Sequence, residues 1–234
     1  MTTVRLDRLL ANLGYGSRRD ANRLVRDGHV TVDASVITDP ATKVDPEVVR
    51  IDGAPLDHPT GIFVALHKPI GHVCSHADDE GETIYELLPS HWLTRSPRPE
   101  AVGRLDKETS GLLLVTDDGD LLHRLTSPRH HVAKTYVATL ARPIEHELVD
   151  VFAAGTLVLR GEDSACVPAR LEIVDALTAR VTLDEGRYHQ VRRMFAACGN
   201  HVEALHRTHV GDWSLDDLAP GEWRDASPSP SPSP

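Results

Sequence analysis

Leu6, Leu9, Leu10 and Leu13 fall at i, i+3, i+4 and i+7, so the first predicted element is a short helix with one apolar stripe. Gly14-Tyr15-Gly16 breaks it. Ser17 then stands where a helix needs an N-cap, with Asp20 as a shorter stand-in for the glutamate of a capping box. Ala21, Leu24 and Val25 make the apolar side of this second helix, and Gly28 ends it. Arg19, Arg23 and Arg26 line another side at i, i+4, i+7. "HVTVDASVI" reads as strand, turn and strand, and "VVRIDG" as a further strand. Residues 3–52 are therefore expected to form a small αα-β module, followed by a Pro/Gly-rich linker, "GAPLDHPTG", over 53–61.

Short β-like runs recur from 62 to 225: "IFVAL", "GLLLVT", "TYVATL", "TLVL", "ARLEIV" and "ARVTL". Helical patterns separate some of them: "TIYELL", "DLLHRLT", "HELVDVFAAG" and "YHQVRRMFAACG". This alternation predicts an α+β domain around a mixed, largely antiparallel sheet. The tail, 226–234, is a Ser-Pro repeat that cannot bury a core and is expected to be disordered.

Composition narrows the class. The chain of 234 residues is 40% hydrophobic and 26% charged, as in globular domains. No apolar run reaches the roughly 18 residues of a membrane span, and the N-terminus lacks the pattern of a signal peptide. Cys74, Cys166 and Cys198 are widely spaced without a C-x-x-C, which argues against a disulfide framework and a cysteine-rich zinc site. A reducing cytoplasm is expected. The net charge of −10 counts against nucleic-acid binding only on average. Between Asp120 and Glu145 no acid occurs, while Arg124, Arg129, Lys134 and Arg142 do. Between Glu185 and Asp212, Arg187, Arg192, Arg193 and Arg207 face one acid, Glu203. Such tracts on an acidic body can hold phosphates.

The stretch "GRLDKETSGLLLVTDDG", Gly103 to Gly119, sets an aspartate before a pure apolar run. Aspartate is a common turn residue, so Asp106 by itself reads as a turn. The Arg19/Arg23/Arg26 stripe by itself reads as a solvated helix face. Tyr136 reads as a half-buried strand aromatic, Arg192 as a solvated helix cation and Leu183 as core. His201, Glu203, His206 and His209 lie close together, but no H-E-x-x-H metal motif is present.

Two resemblances change these readings. "RLDRLLANLGYGSRRDANRLVRDGHVTVDASVITDPATKV" resembles the S4-type RNA-binding domain. "GRLDKETSGLLLVTDDG" resembles the signature of RNA pseudouridine synthases of the RsuA/RluB/RluE/RluF family. The likeness continues through "LHKPIGHVCS", "HRLTSPRHHVAKTYVATL" and "LDEGRYHQVRRMFAACGNHVEALHR". Ordered blocks at family spacing are a strong signal, unlike a lone motif. "TSPRHHVAKTY" and "GRYHQVRRMFAACGNHV" are similar to the RsuA branch, which modifies a uridine of small-subunit rRNA. His67 departs from the family's usual Asn, and Arg192 from the Lys of many members.

The resemblance implies that Asp106 is the catalytic carboxylate, Tyr136 stacks on a flipped uracil, and Arg192 pairs with Asp106. Leu183 would wall the uracil pocket, and Arg104 would fill the space the base leaves or hold a phosphate. The matching blocks place Lys68, Arg187, His189 and Gln190 among the substrate-binding residues, and the S4-like module puts Arg19, Arg23 and Arg26 on backbone phosphates. It implies no cofactor and no metal, a monomer, and 16S rRNA or a small-subunit assembly intermediate as partner, with no membrane. The competing expectations are a 23S rRNA synthase of the same family, a non-catalytic S4-domain assembly protein, and a carbohydrate hydrolase. The last would want a second carboxylate beside Asp106.

Overall fold

The computed structural model describes residues 3–76 and 81–226. They divide into two compact units: one takes the described residues up to Phe63 with Leu88–Glu100 and Thr116–Gly119, and the other takes the rest.

The first unit begins with β1 (Val4–Arg5), α1 (Leu6–Asn12) and α2 (Arg18–Arg26). The expected capping box forms: the Asp20 amide donates to Ser17 Oγ at 3.3 Å, and the Ser17 amide to the Asp20 carboxylate at 2.9 Å. Asp7, buried in the first turn of α1, accepts from the guanidinium groups of Arg5 and Arg18 at 2.9 and 3.0 Å. The Arg5 hydrogen bond, joined by Arg18, outweighs the effect of burial and holds the Asp7 carboxyl at about 2. β2 (Val30–Val32), β3 (Ser35–Val36), β4 (Lys43–Val44), β5 (Val49–Ile51) and β6 (Ala54–Pro55) follow. β1 pairs with β4, and the others form a four-stranded antiparallel sheet in the order β3-β2-β5-β6. The hairpin turns Asp33-Ala34 and Asp52-Gly53 hold both residues at positive φ, the geometry that suits the right-handed twist of the strands. Leu6, Leu10, Val25, Val30 and Val49 are fully buried in this unit's core.

The stretch 53–61 carries more structure than its Pro/Gly content predicts. Ala54–Pro55 is β6, Leu56 is buried, and Asp57 accepts from the Trp92 indole at 2.5 Å and pairs with His91 at 2.6 Å. Arg95 donates to the carbonyls of Asp57 and His58 and pairs with Asp117 at 3.2 Å.

The second unit is built on a nine-stranded sheet. Its elements are β7 (Phe63–Lys68), β8 (Glu100–Val102), β9 (Thr109–Thr116), α3 (Gly119–Thr126), β10 (Lys134–Leu140), α4 (Glu147–Ala153), β11 (Arg170–Ile173), β12 (Thr178–Leu183), α5 (Gln190–Ala197), β13 (Val202–Val210), β14 (Trp213–Ser214) and β15 (Trp223–Asp225). The order is β11-β12-β10-β13-β9-β7-β15, with β14 beside β13 and β8 beside β9. The β13/β9 pair is parallel, and the pairs β10/β12, β10/β13, β11/β12, β13/β14 and β7/β15 are antiparallel, so the sheet is mixed and mostly antiparallel. Phe152 of α4 and Met194 and Phe195 of α5 pack with Ala138, Val181 and Leu205 of the strands in one buried cluster.

Several elements differ from the sequence pattern, among them the short strands β8, β14 and β15, which it did not mark. "TIYELL" forms a short 3-10 turn, Ile84–Leu87, and not an α-helix. "TLVL" makes only an isolated bridge, Val158 to Ala165. β13 was absent from the expected strands, because Glu203, His206, Arg207 and His209 interrupt its apolar pattern; it is nevertheless central, between β10 and β9. The Ser-Pro repeat of the tail lies outside the described residues, while Ala226 is buried.

Gly111 lets β9 and β13 approach. Its φ is +112°, and a Cβ there would lie 2.2 Å from the Arg207 carbonyl oxygen and 2.6 Å from its nitrogen. No side chain fits that position without moving the Arg207 backbone.

Candidate active site

Asp106 sits at the mouth of β9, where its carbonyl accepts the Thr109 amide at 3.0 Å. Two side chains, Lys68 and Cys74, hold this loop. The Lys68 ammonium, fully buried, donates to the carbonyls of Pro69, Lys107 and Thr109 at 3.0, 3.5 and 2.8 Å. The Cys74 thiol lies 3.5 Å from both the amide and the carbonyl of Leu105. Burial pushes Lys68 below its ordinary value, opposed by Cys74, Asp106 and Glu108, and it pushes the Cys74 thiol up. Lys68, expected as a substrate contact, is therefore taken up by the carbonyl of its neighbour Pro69 and by the backbone that follows Asp106.

The Asp106 carboxylate is partly exposed, and its ionic partner is His189, with Nε2 3.2 Å from Oδ1. His189 precedes α5 in left-handed backbone, φ +48°, and its ring stacks on Tyr188 at 3.9 Å. The expected Arg192–Asp106 pair does not form. Arg192 donates instead to the carbonyls of Val202 and Glu108 at 2.8 and 2.9 Å, tying α5 to the start of β13 and to the segment after Asp106. The reason is geometric: His189, at the N-terminus of α5, already lies against the carboxylate.

Leu105, Tyr136, Leu183, Val191 and Leu205 wall a crevice of about 70 Å³ beside Asp106. Leu183 and Tyr136 thus both line the crevice beside Asp106. Asp106 and Tyr136 also border an open cavity of about 470 Å³, with Arg104, Lys134 and Arg207 among its other walls. Arg104 is exposed at its rim.

Arg187 and Gln190 border the site but are occupied. Arg187 donates to Glu162, Glu185 and the carbonyls of Ser164 and Ala165. Gln190 donates to Glu185 at 2.6 Å and accepts the Arg187 amide at 2.9 Å. Arg193 also pairs with Glu162 at 2.5 Å. Arg187, Arg192 and Arg193 of the expected phosphate-holding tract of 185–212 are thus engaged in internal contacts, and Arg207 is buried at 1% exposure. The earlier tract stays open, with Arg124 and Arg129 exposed. In the other unit Arg19, Arg23 and Arg26 are exposed on α2, and Arg23 touches Asp27 at 3.4 Å.

Arg207 was not singled out from the sequence as a site residue; its signals were its place in the basic tract after Glu185 and in "EALHR" within a resembling block. His67, the departure from family wording, is bonded through Nδ1 to the Leu218 carbonyl at 2.7 Å and meets the His206 ring edge-on at 5.4 Å. His206 contacts Ser110 Oγ at 2.9 Å. Among the described residues no group of three or more His, Cys, Asp or Glu side chains is placed to hold a metal ion, and no helix is long and apolar enough to cross a membrane.

The comparisons agree with this geometry. The model of a family described as RNA pseudouridylate synthase matches residues 62–197, and that of the S4 domain matches residues 4–56. The chain is 45% identical over 226 residues to the ribosomal small subunit pseudouridine synthase A of Escherichia coli (strain K12), covering 94% of this chain and 95% of the relative. It is 44% identical over 227 residues to the protein of that name from Pasteurella multocida (strain Pm70), covering 96% of each. A solved structure described as a pseudouridylate synthase superimposes with a TM-score of 0.66 at 38% identity, covering 96% of both chains.

Proposed function

The chain belongs to the RNA pseudouridylate synthase family, and we propose that it isomerises one uridine of small-subunit (16S) rRNA to pseudouridine in the cytoplasm, as a monomer. The observation that carries this reading is the Asp106 carboxylate, set between a crevice walled by Leu105, Leu183 and Leu205 and an open cavity, with Tyr136 bordering both. The choice of small-subunit rRNA follows the relatives named for it.

The reaction needs little more than this. The N1–C1′ bond breaks, the uracil turns, and C5 bonds to C1′; the proton lost from C5 balances the one gained at N1. No group is imported and nothing is oxidised, so the chemistry calls for no cofactor. Asp106 can serve by attacking C1′, by adding to C6 or by taking the 2′ proton. His189 holds and orients that carboxylate, while Lys68, Cys74 and Arg192 fix the loop that carries it. The target base must leave its stack, at a cost of roughly a few kcal/mol. Stacking on Tyr136 returns about 1–3 kcal/mol, and Leu183 and Leu205 dry the crevice. Exposed Arg104, at the rim of the cavity, and exposed Arg124 and Arg129 take backbone phosphates, and the α2 arginines add affinity from the S4 domain.

The test is to incubate the protein separately with 16S RNA, a small-subunit assembly intermediate, intact small subunits and 23S RNA, then map pseudouridine by carbodiimide-dependent primer-extension stops. One new site is expected in 16S RNA or the intermediate, poor modification of finished subunits, and none in 23S RNA. A site in 23S RNA alone refutes the substrate assignment.

A further inference from the structure

β13 and β10 bring Arg207 opposite Tyr136 across an antiparallel pair. Directly opposed residues on neighbouring strands project to the same face, and both side chains border the cavity that Asp106 borders. The guanidinium is 1% exposed. Nε donates to the Leu112 carbonyl at 2.8 Å, yet Nη2 is buried without a hydrogen-bond partner among the described residues. A buried, unpaired donor on a charged group is costly, more so than on a neutral one. Here the fold even adds to the cost. Lys134 borders the same cavity, and burial together with Arg207 lowers its pKa. The close β9/β13 approach at Gly111 fixes the backbone that carries the group. Lys134 donates to the Val132 carbonyl at 2.7 Å, and Asp106, Asp184 and Glu185 line the cavity without reaching Nη2, so the unused donor of Arg207 fits a ligand that brings an oxygen acceptor.

We propose that Arg207 is a further catalytic residue of this reaction, its Nη2 donating a hydrogen bond to a carbonyl oxygen of the flipped uracil. The inference rests on the pseudouridine-forming reading above. When N1–C1′ breaks, the electron pair stays with the base, and the resulting anion is spread over N1 and the two ring carbonyl oxygens. When C5 bonds to C1′, a pair from the base forms the new bond and discharges the anion, and loss of the C5 proton is then balanced by protonation of N1. Addition of Asp106 to C6 instead drives negative charge onto the C4 carbonyl oxygen, one of those two. A fixed cationic donor therefore stabilises charge that develops during reaction and not in the bound uridine, whichever route the carboxylate takes. Depth favours the base over the phosphate as the ligand. At 1% exposure Arg207 is reached by a group inserted beside Tyr136, whereas exposed Arg104 is placed for the backbone.

The test uses single-turnover kinetics on a 16S RNA fragment carrying uridine, 2-thiouridine or 4-thiouridine at the target. Sulfur accepts hydrogen bonds weakly, so the wild-type enzyme is expected to slow with one of the thio bases. Arg207→Met should react on the order of 100-fold more slowly with uridine, bind RNA within about twofold of wild type, and show no thio penalty. Arg207→Lys keeps charge without the planar fork and should lose the penalty as well, so it answers the question if the methionine variant does not fold. A wild-type enzyme indifferent to both thio bases, a variant that keeps the full penalty, or a loss confined to affinity overturns the role of Arg207. Absence of turnover by the wild-type enzyme on the uridine fragment refutes instead the reading on which it rests.

Discussion

Replacing Gly111 by alanine tests whether the close approach of β9 and β13 builds the site. The new Cβ would meet the Arg207 oxygen, nitrogen and carbonyl carbon at 2.2, 2.6 and 2.8 Å, where ordinary contact begins at 3.4 Å. All three atoms are backbone, so no side-chain rotation relieves the clash, and the strands must part by roughly 1 Å. A φ of +112° is also outside the range an alanine adopts readily. Backbone strain and overpacking together predict a loss of about 3–5 kcal/mol. Gly199→Ala is the control. Gly199 follows α5 at φ +76° with nothing within 4 Å of its built Cβ, so only conformational strain remains, about 1 kcal/mol. Urea unfolding followed by circular dichroism measures both. Because Arg207 and the Asp106 loop both depend on this strand pair, Gly111→Ala should also lose turnover under conditions where it remains folded. If the two variants lie within about 1 kcal/mol of each other at equal m-values, the packing argument is wrong.

Asp106→Asn should melt like wild type and bind RNA, yet form no pseudouridine, because an amide is a poor nucleophile and base; turnover by the purified variant would remove Asp106 from its role. Reversing Arg19, Arg23 and Arg26 to Glu should weaken RNA binding and flatten its salt dependence, and an unchanged salt slope would return α2 to a merely solvated face. Asp7 is held at about 2, below its ordinary 3.8, so it stabilises the fold above that ordinary value and the contribution fades as pH falls through about 2. The exposed arginine partners screen the pair, leaving about 1 kcal/mol, and Asp7→Asn should remove this part of the acid dependence of the urea midpoint.

The helices of the first unit were legible because their signals are local. Leu6, Leu9, Leu10 and Leu13 supply the stripe, and Ser17 and Asp20 close a cap within one turn of chain. Asp106, Tyr136 and Leu183 were legible for a different reason: each sits in a short block of distinctive wording, and the structure brings all three to one crevice. What each arginine does was not legible. Arg187, Arg192, Arg193 and Arg207 form one basic tract in the chain, but a cation's role depends on which carboxylate or carbonyl lies within about 3 Å of it.

Local pattern therefore sufficed for most element types and for the mixed sheet, because hydrophobic period and turn chemistry act over a few neighbouring residues, whereas the candidate carboxylate was marked by family wording. Only the tertiary structure decided that β13, with its broken apolar pattern, runs through the middle of the sheet. Its backbone is paired on both sides by β10 and β9, and that pairing outweighs the polar residues it carries. The same packing gave Asp106 to His189, turned Arg192 to two carbonyls, and left the Arg207 guanidinium buried with an unused donor. Partners separated by some 80 to 100 positions are chosen by strand register and close approach, and neither is written in the spacing of any one segment.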